Sequence, residues 1–223
     1  MLFQKFPYFF LLFFSTSVYS DDLIIADFSH EPLNKWQNKS FVGETKYSLV
    51  DLDQKTVLKA VADQSASGIA KELRIDLKKT PFINWSWRIE NYLSGLDETK
   101  KKGDDYVARL YLVKSGGFFI WKTKALNYVW SSNQATGAKW DNAYAGSNAR
   151  MLAVRSANDP LNQWVSEKRN VFEDMIALYG DKGSQKENED AYRYIDVVAI
   201  MTDTDDSKGK AIAYYGDIYF SEK

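Results

Sequence analysis

Hydrophobic and polar residues alternate along most of the chain after residue 22. Between Phe82 and Ile89, the residues Ile83, Trp85 and Trp87 are apolar, and Asn, Ser and Arg stand between and after them. A period of two is the pattern of a strand with one buried face. The same pattern recurs in ten further segments: 23–28, 46–52, 57–62, 69–75, 106–113, 118–122, 125–130, 151–155, 195–203 and 211–220. Short strands separated by turn residues predict an all-β fold, an antiparallel β-sandwich of the jelly-roll or galactose-binding type.

Few segments depart from this alternation. Apolar residues have helical spacing in 171–179, and Gly180 follows as a stop signal, so we expect one short peripheral helix there. Charged and small polar residues predict exposed loops at three places: 95–105, 131–148 and 181–190. The second of these is long and contains aromatic residues, as binding loops often do.

The N-terminus has the features of a secretory signal peptide. Lys5 is the only charged residue among the first twenty, an apolar run covers 9–14, and Val18-Tyr19-Ser20 supplies small residues at the cleavage positions. We therefore expect residues 1–20 to be removed and 21–223 to form a single domain, periplasmic or secreted. The alternative is an uncleaved anchor; after cleavage we expect no membrane span.

The composition excludes several kinds of chemistry. The 29 Lys+Arg are balanced by 30 Asp+Glu, which is not the cationic excess that nucleic-acid binding usually requires. There is no cysteine, so disulfides, thiolate catalysis and Cys-based metal sites are impossible. The only histidine, His30, lies in a polar turn and is interpreted as a surface residue.

Two arginines occupy the polar sides of predicted strands. Arg88 shares its side with Asn84, and Arg109 lies opposite a fully apolar side of its strand, next to Asp104 and Asp105. If both polar sides belong to one sheet, these residues lie on one surface. Guanidinium, amide and carboxylate groups make directional hydrogen bonds to vicinal hydroxyls, so this surface is a candidate sugar-binding site.

Aromatic residues that could cover the apolar face of a sugar ring are Tyr128, Trp130, Trp140 and Tyr144. The alternative interpretation is that Arg109 and Asp105 form an internal ion pair and that Trp130 belongs to the core.

Two further hypotheses concern carboxylates. The run from Asp203 through Asp205 to Ser207 places several oxygen donors close together, as calcium requires. It does not follow the EF-hand pattern, and the preferred interpretation is a solvated turn between two strands. A polysaccharide hydrolase or lyase needs two acidic groups, for which Asp105, Asp174 and Asp203 are candidates.

A series of short motifs resembles a family of exported bacterial proteins. The motifs, in chain order, are Ala66-Ser67-Gly68, Pro81 with Trp85-Ser86-Trp87-Arg88, Gly103-Asp104-Asp105 with Arg109-Leu110-Tyr111, Tyr128-Val129-Trp130, Trp164 with Arg169-Asn170-Val171 and Asp174, 200–205, and 214–218 with Phe220. By these the chain is identified as a member of domain-of-unknown-function family 3047. The family pattern has Arg-Asp where this chain has Arg169-Asn170. The resemblance implies an exported single-domain β protein, and it adds Arg169 to the candidate ligand-binding residues.

The opening Ala26-Asp27-Phe28 and the closing strand 216–220 are also similar to those of jelly-roll carbohydrate-binding modules. The sequence therefore predicts a non-catalytic module that binds a carbohydrate or envelope glycan. The alternatives are the hydrolase or lyase named above and a scaffold that binds a protein partner. The sequence does not indicate the oligomeric state.

Overall fold

The structure is a computed structural model that describes residues 22–118 and 120–223. The predicted signal peptide, 1–20, lies outside the described residues. Nearly all described elements are strands: β1 Leu23–Ala26, β2 Gln37–Val42, β3 Lys46–Leu52, β4 Lys55–Asp63, β5 Ala66–Asp76, β6 Phe82–Ile89, β7 Ala108–Lys114, β8 Lys124–Trp130, β9 Lys139–Asn142, β10 Gly146–Arg155, β11 Val165–Asn170, β12 Tyr194–Asp203, β13 Lys210–Tyr215 and β14 Ile218–Ser221. Two helices, α1 Val171–Tyr179 and α2 Gln185–Tyr192, lie between β11 and β12.

Within these residues the strands form two seven-stranded sheets. Sheet A has the order β1-β14-β6-β13-β4-β3, with β11 on β6, and sheet B has the order β2-β5-β12-β7-β8-β10-β9. All strand pairs are antiparallel except β8 with β10, which is parallel. The predicted β-sandwich is confirmed.

Aromatic side chains from both sheets form the centre of the core. Trp85 and Trp87 of sheet A contact each other edge to face, with ring centroids 5.3 Å apart. Trp85 stacks on Tyr128 of sheet B at 5.2 Å, and Trp87 contacts Trp130 at 5.8 Å. Large aromatic residues bury the most apolar area, so these two contacts between the sheets stabilise their packing. No disulfide contributes, because the chain has no cysteine.

The helical segment contains more than the one peripheral helix predicted. α1 has the expected bounds, and its buried side chains Val171, Met175 and Leu178 make it part of the core. α2 occupies most of the predicted loop 181–190. Its first turn is capped by Ser184, whose Oγ accepts a hydrogen bond from the Glu187 backbone N–H at 3.2 Å.

Three strands were not predicted, and one predicted strand is absent. β2, β9 and β11 are short, and β9 lies inside the predicted loop 131–148. The segment 118–122 is not a strand: its described part is a turn followed by a 3₁₀ helix, Ile120–Lys122. Among the described residues neither helix has the length and apolarity needed to cross a bilayer.

Candidate functional site

Arg88 and Arg109 do not share a surface, so the site predicted from their strands is wrong in its geometry. β6 carries Arg88 in sheet A, and β7 carries Arg109 in sheet B. Each arginine does lie on the side of its strand opposite the core, as the alternation predicts. The sequence pattern gives the face of a strand but not the sheet to which the strand belongs.

Arg109 is the centre of a buried charge cluster formed with Asp104, Asp203, Tyr106 and Tyr111. Its side chain is 3 % exposed, and its guanidinium nitrogens lie 3.6 Å from a carboxylate oxygen of Asp104 and 3.6 Å from one of Asp203. It donates a hydrogen bond to the Tyr111 hydroxyl and lies 4.2 Å from the Tyr106 ring centroid. A guanidinium enclosed in this way is a structural group, and it offers no surface to a ligand in solution.

Asp105 is not the partner of Arg109 that the alternative interpretation expects. It is fully buried and accepts hydrogen bonds from the backbone N–H groups of Asp206 and Ser207, at 3.2 and 2.5 Å. The segment that follows β12 is therefore attached to the loop before β7. It is not a solvated turn.

Three carboxylates lie close together where the segment after β12 contacts the loop before β7. One oxygen each of Asp105, Asp203 and Asp205 lie within 4.8 Å of one another, so these are the residues that could hold a hard cation such as calcium. Burial raises the pKa of Asp203 well above its ordinary value, because the charged form is poorly solvated there. Burial and the neighbouring Asp105 also raise the pKa of Asp205.

The other predicted ligand-binding residues are divided between the core and loop contacts. Tyr128 and Trp130 are fully buried in the aromatic core, so neither ring can stack on a ligand from solvent. Trp140 is half-buried, stacks on Tyr106 with centroids 6.3 Å apart, and donates from Nε1 to the Glu98 carbonyl oxygen at 3.2 Å.

Arg169 and Asp174 form a two-point ion pair beside Tyr128. The Nε and Nη2 atoms of Arg169 donate to the two carboxylate oxygens at 2.9 and 2.5 Å. The Tyr128 hydroxyl donates to the same carboxylate at 2.7 Å. Asp174 is thus committed to partners different from those of Asp105 and Asp203.

Glu98 is a buried carboxylate that the sequence analysis placed in a solvated loop. It has no exposed surface, and it accepts hydrogen bonds from Ser131 Oγ, from the Ser132 backbone N–H at 2.8 Å and from Asn133 Nδ2 at 3.4 Å. Burial raises its pKa above the ordinary value of 4.5, although these donors act in the opposite direction.

We expect the stability of Glu98→Gln relative to wild type to be greater at pH 8 than at pH 4.5. Because the pKa of Glu98 is raised in the folded state, the wild type loses stability as the pH rises from the unfolded-state pKa through the folded-state pKa. The amide of the variant does not titrate, so its stability lacks this pH dependence. Urea unfolding at both pH values measures the difference. A stability difference that does not change with pH would contradict the buried-charge interpretation.

The outer side of sheet A carries a cleft of about 620 Å³, which we call the sheet A cleft. Its apolar surface includes two half-buried rings, Trp164 and Tyr219. Its polar surface includes Asn84 and Ser86 of β6 and Ser166 of β11. A site of this size and mixed lining is typical of small-ligand binding.

Two acidic residues and two lysines add charge of both signs to the sheet A cleft: Asp53, Asp217, Lys55 and Lys168. Glu167 also lines it, but its carboxylate is engaged by Arg155 Nε at 2.5 Å and by Trp87 Nε1 at 3.2 Å. Arg155 also pairs with Asp159, and Arg88 pairs with Asp53. Counted with these partners, the acids of the lining are balanced by an equal number of cations.

A tight turn between β3 and β4 positions one wall of the cleft. Asp53 and Gln54 have φ values of 53° and 64°, and two consecutive left-handed residues form the two-residue hairpin turn that suits strand twist. The turn brings one oxygen of Asp53 to 3.0 Å from Trp164 Nε1 and 3.1 Å from Arg88 Nη1. We call these three residues the Asp53 clamp. Arg88 lies at the border of the cleft, so this one predicted ligand-binding residue adjoins it.

Gly216 lies where β13 and β14 meet β6. It donates its backbone N–H to the Ser86 carbonyl oxygen at 2.9 Å, and a Cβ at this position would force the Ser86 hydroxyl to rotate away. The close approach allows one edge of β6 to pair with β13 at Trp87–Ile89 and with β14 at Phe82–Asn84. The side chains of Asn84 and Ser86 are thereby held along the cleft.

The fold and the cleft define a β-sandwich protein with a polar, aromatic-lined surface site on one sheet. The chain belongs to the DUF3047 family, described as proteins of unknown function, whose family model matches residues 34–219. The resemblance inferred from the sequence motifs is confirmed. A comparison with curated proteins finds none that matches the chain.

Solved structures that are similar to this chain include carbohydrate-active proteins. A family 11 carbohydrate-binding module from Clostridium thermocellum, in complex with a β-1,3-1,4-mixed-linked tetrasaccharide, is 11% identical with a TM-score of 0.46, covering 90% of this chain and 95% of that one. The xyloglucanase domain of the effector NopAA from Sinorhizobium fredii, in complex with cellobiose, is 11% identical with a TM-score of 0.47, covering 84% and 93%. The cellulose-induced protein Cip1 is 10% identical with a TM-score of 0.46, covering 86% and 94%.

Proposed function

We propose that this protein is an exported, non-catalytic carbohydrate-binding module whose ligand site is the sheet A cleft. The observation that carries the proposal is the combination in one cleft of two half-buried aromatic rings, Trp164 and Tyr219, with the amide and hydroxyl groups of Asn84, Ser86 and Ser166. A pyranose has an apolar face that packs on an aromatic ring and a rim of hydroxyls that needs short polar side chains.

The charge of the cleft favours a neutral polar ligand. Asp53 and Asp217 are balanced by Lys55 and Lys168, so the lining provides no net field for a phosphate or for a polycation. Side chains of both signs can each accept or donate hydrogen bonds to sugar hydroxyls. A neutral or weakly charged envelope glycan is the ligand class that this lining fits.

The Asp53 clamp supports binding because it fixes a ring in advance. Trp164 is held through its Nε1 by Asp53, which is itself held by Arg88 and by the hairpin turn. A side chain that is already ordered loses little conformational entropy when a ligand arrives. Less of the binding free energy is therefore spent on ordering Trp164, and a ligand can bind through a small contact area.

The carboxylates of the cleft support binding without turnover. Asp53 is engaged in the clamp, Glu167 is paired with Arg155, and Asp217 accepts a hydrogen bond from the Phe28 backbone N–H at 2.8 Å. A glycosidase requires one free nucleophile or base and one acid at a defined separation. The acids proposed from the sequence for a hydrolase, Asp105, Asp174 and Asp203, are each buried and hydrogen-bonded.

The experiment that tests this function is a glycan-array screen of residues 21–223, followed by assay of each bound polysaccharide for newly formed reducing ends. We expect binding to at least one neutral or weakly charged glycan and no release of reducing ends. Product release would assign the cleft to an enzyme. An array without any bound glycan, with the fold verified by circular dichroism, would overturn the proposed ligand class.

A further inference from the structure

The loop between β7 and β8 exposes two large apolar side chains. Phe118 is fully exposed and Trp121 is 64 % exposed. Single exposed apolar residues are common on soluble proteins, but two exposed aromatic residues three positions apart in one loop place much apolar area in contact with solvent. This loop contributes no residue to the lining of the sheet A cleft.

Two hydrogen bonds fix the turn that precedes Phe118. The Gly116 backbone N–H donates to Thr123 Oγ1 at 3.1 Å, and the Gly117 N–H donates to Ser115 Oγ at 3.1 Å. Gly117 has φ of 59°, which a side chain would disfavour. The exposure of Phe118 is therefore a consequence of a specific turn.

Lysines surround the base of this loop. Lys114 and Lys124 are directly paired across β7 and β8, and like charges in that position destabilise a sheet. Burial lowers the pKa of Lys124, and the positive charges of Lys182 and Lys114 act in the same direction. In the part of the chain that the structure describes, no ion pair involves Lys114, Lys124 or Lys182. Asp196 of β12 accepts a hydrogen bond from the Ser115 backbone N–H at 2.8 Å and is already paired with Arg74 at 3.1 Å.

We propose that Phe118 and Trp121, together with Lys114, Lys124 and Lys182, form a docking surface for an anionic lipid bilayer. We call these five residues the lysine-flanked tip. Aromatic side chains insert into the headgroup region, where one side of the ring is apolar and the other is wet. Lysines behind them lie at the depth of the phosphates, and each contributes about 1 kcal/mol to attraction by anionic lipid.

The charge of the tip favours a membrane over a second copy of the chain. A symmetric dimer through this surface would place the same lysines of both copies against each other, and the acid beside the loop, Asp196, is already paired with Arg74. An anionic bilayer instead relieves the repulsion between Lys114 and Lys124. The occupant that complements both the apolar rings and the uncompensated charge is therefore a lipid surface.

Co-sedimentation with lipid vesicles tests this proposal. Residues 21–223 contain every described element and lack the apolar N-terminal run. We expect this chain to bind vesicles of phosphatidylcholine and phosphatidylglycerol much more strongly than vesicles of phosphatidylcholine alone, with binding that weakens as salt is added.

Phe118→Ser should reduce partitioning into anionic vesicles by about tenfold or more, and Lys114→Gln and Lys124→Gln by about fivefold each. Brominated lipids should quench the fluorescence of Trp121, and Trp121→Ala should lose that quenching.

The matched controls are Phe41→Ser and Lys39→Gln, which alter a similarly exposed aromatic residue (65 %) and an exposed lysine on β2. Neither should change vesicle binding. Equal binding of Phe118→Ser and Phe41→Ser, or no binding to anionic vesicles, would overturn the proposal. Concentration-dependent dimerisation that Phe118→Ser abolishes would assign the tip to self-association instead.

Discussion

Arg109→Ala is expected to lower the free energy of unfolding by about 3–5 kcal/mol, because it leaves buried carboxylates without their cation. Asp104 and Asp203 both lie 3.6 Å from the guanidinium, and both are buried. Removal of Arg109 also empties the space between the rings of Tyr106 and Tyr111. Urea unfolding followed by tryptophan fluorescence measures the effect.

Arg88→Ala is the matched control for this substitution. Its side chain is 18 % exposed, and its ion pair is with Asp53, which is largely exposed, so the loss should be about 1 kcal/mol or less. If Arg109→Ala proved as stable as Arg88→Ala, the charge cluster would not be structural. The site predicted from the sequence would then regain support.

Trp164→Ala is expected to weaken glycan binding about thirtyfold or more, the loss of about 2 kcal/mol typical of a central aromatic contact. The ring is half-buried at the surface and belongs to no core cluster, so the fold should be retained. Trp121→Ala removes an exposed ring outside the cleft and is the control. Calorimetric titration with a glycan identified on the array measures both variants. Unchanged affinity in Trp164→Ala would exclude the cleft as the binding site.

The strand pattern of this protein could be predicted from the sequence where one face of the strand is buried. β6 has the predicted bounds because its buried apolar residues alternate with polar ones from Ile83 to Ile89. The edge strand β3 has them because Tyr47 and Leu49, which pack against the core, alternate with polar residues. β2 and β11 were missed because they lie at sheet edges and have few buried side chains. α2 is almost entirely polar, although Ser184 followed three residues later by Glu187 has the spacing of a capping box, which could have identified its start.

The candidate site could be predicted only in part. Alternation places Arg88 on the outer side of β6, but the assignment of β6 and β7 to different sheets is a property of the long-range pairing. The burial of Arg109 depends on the loop that carries Asp104, and that loop is as polar as a solvated one. Trp164 and Asp53 lie 111 residues apart, and only the fold brings them together.

The most direct test of glycan binding in the sheet A cleft is an NMR titration of the ¹⁵N-labelled chain with a glycan identified on the array. The signals to follow are those of the tryptophan indole N–H groups. The chain has seven tryptophans, and the indole signal that is lost in Trp164→Phe is that of Trp164. We predict that the Trp164 signal shifts in proportion to saturation, while the signals of Trp121 and Trp140 do not move. A shift of Trp140 or Trp121 with Trp164 unchanged would place the glycan on sheet B and contradict the account.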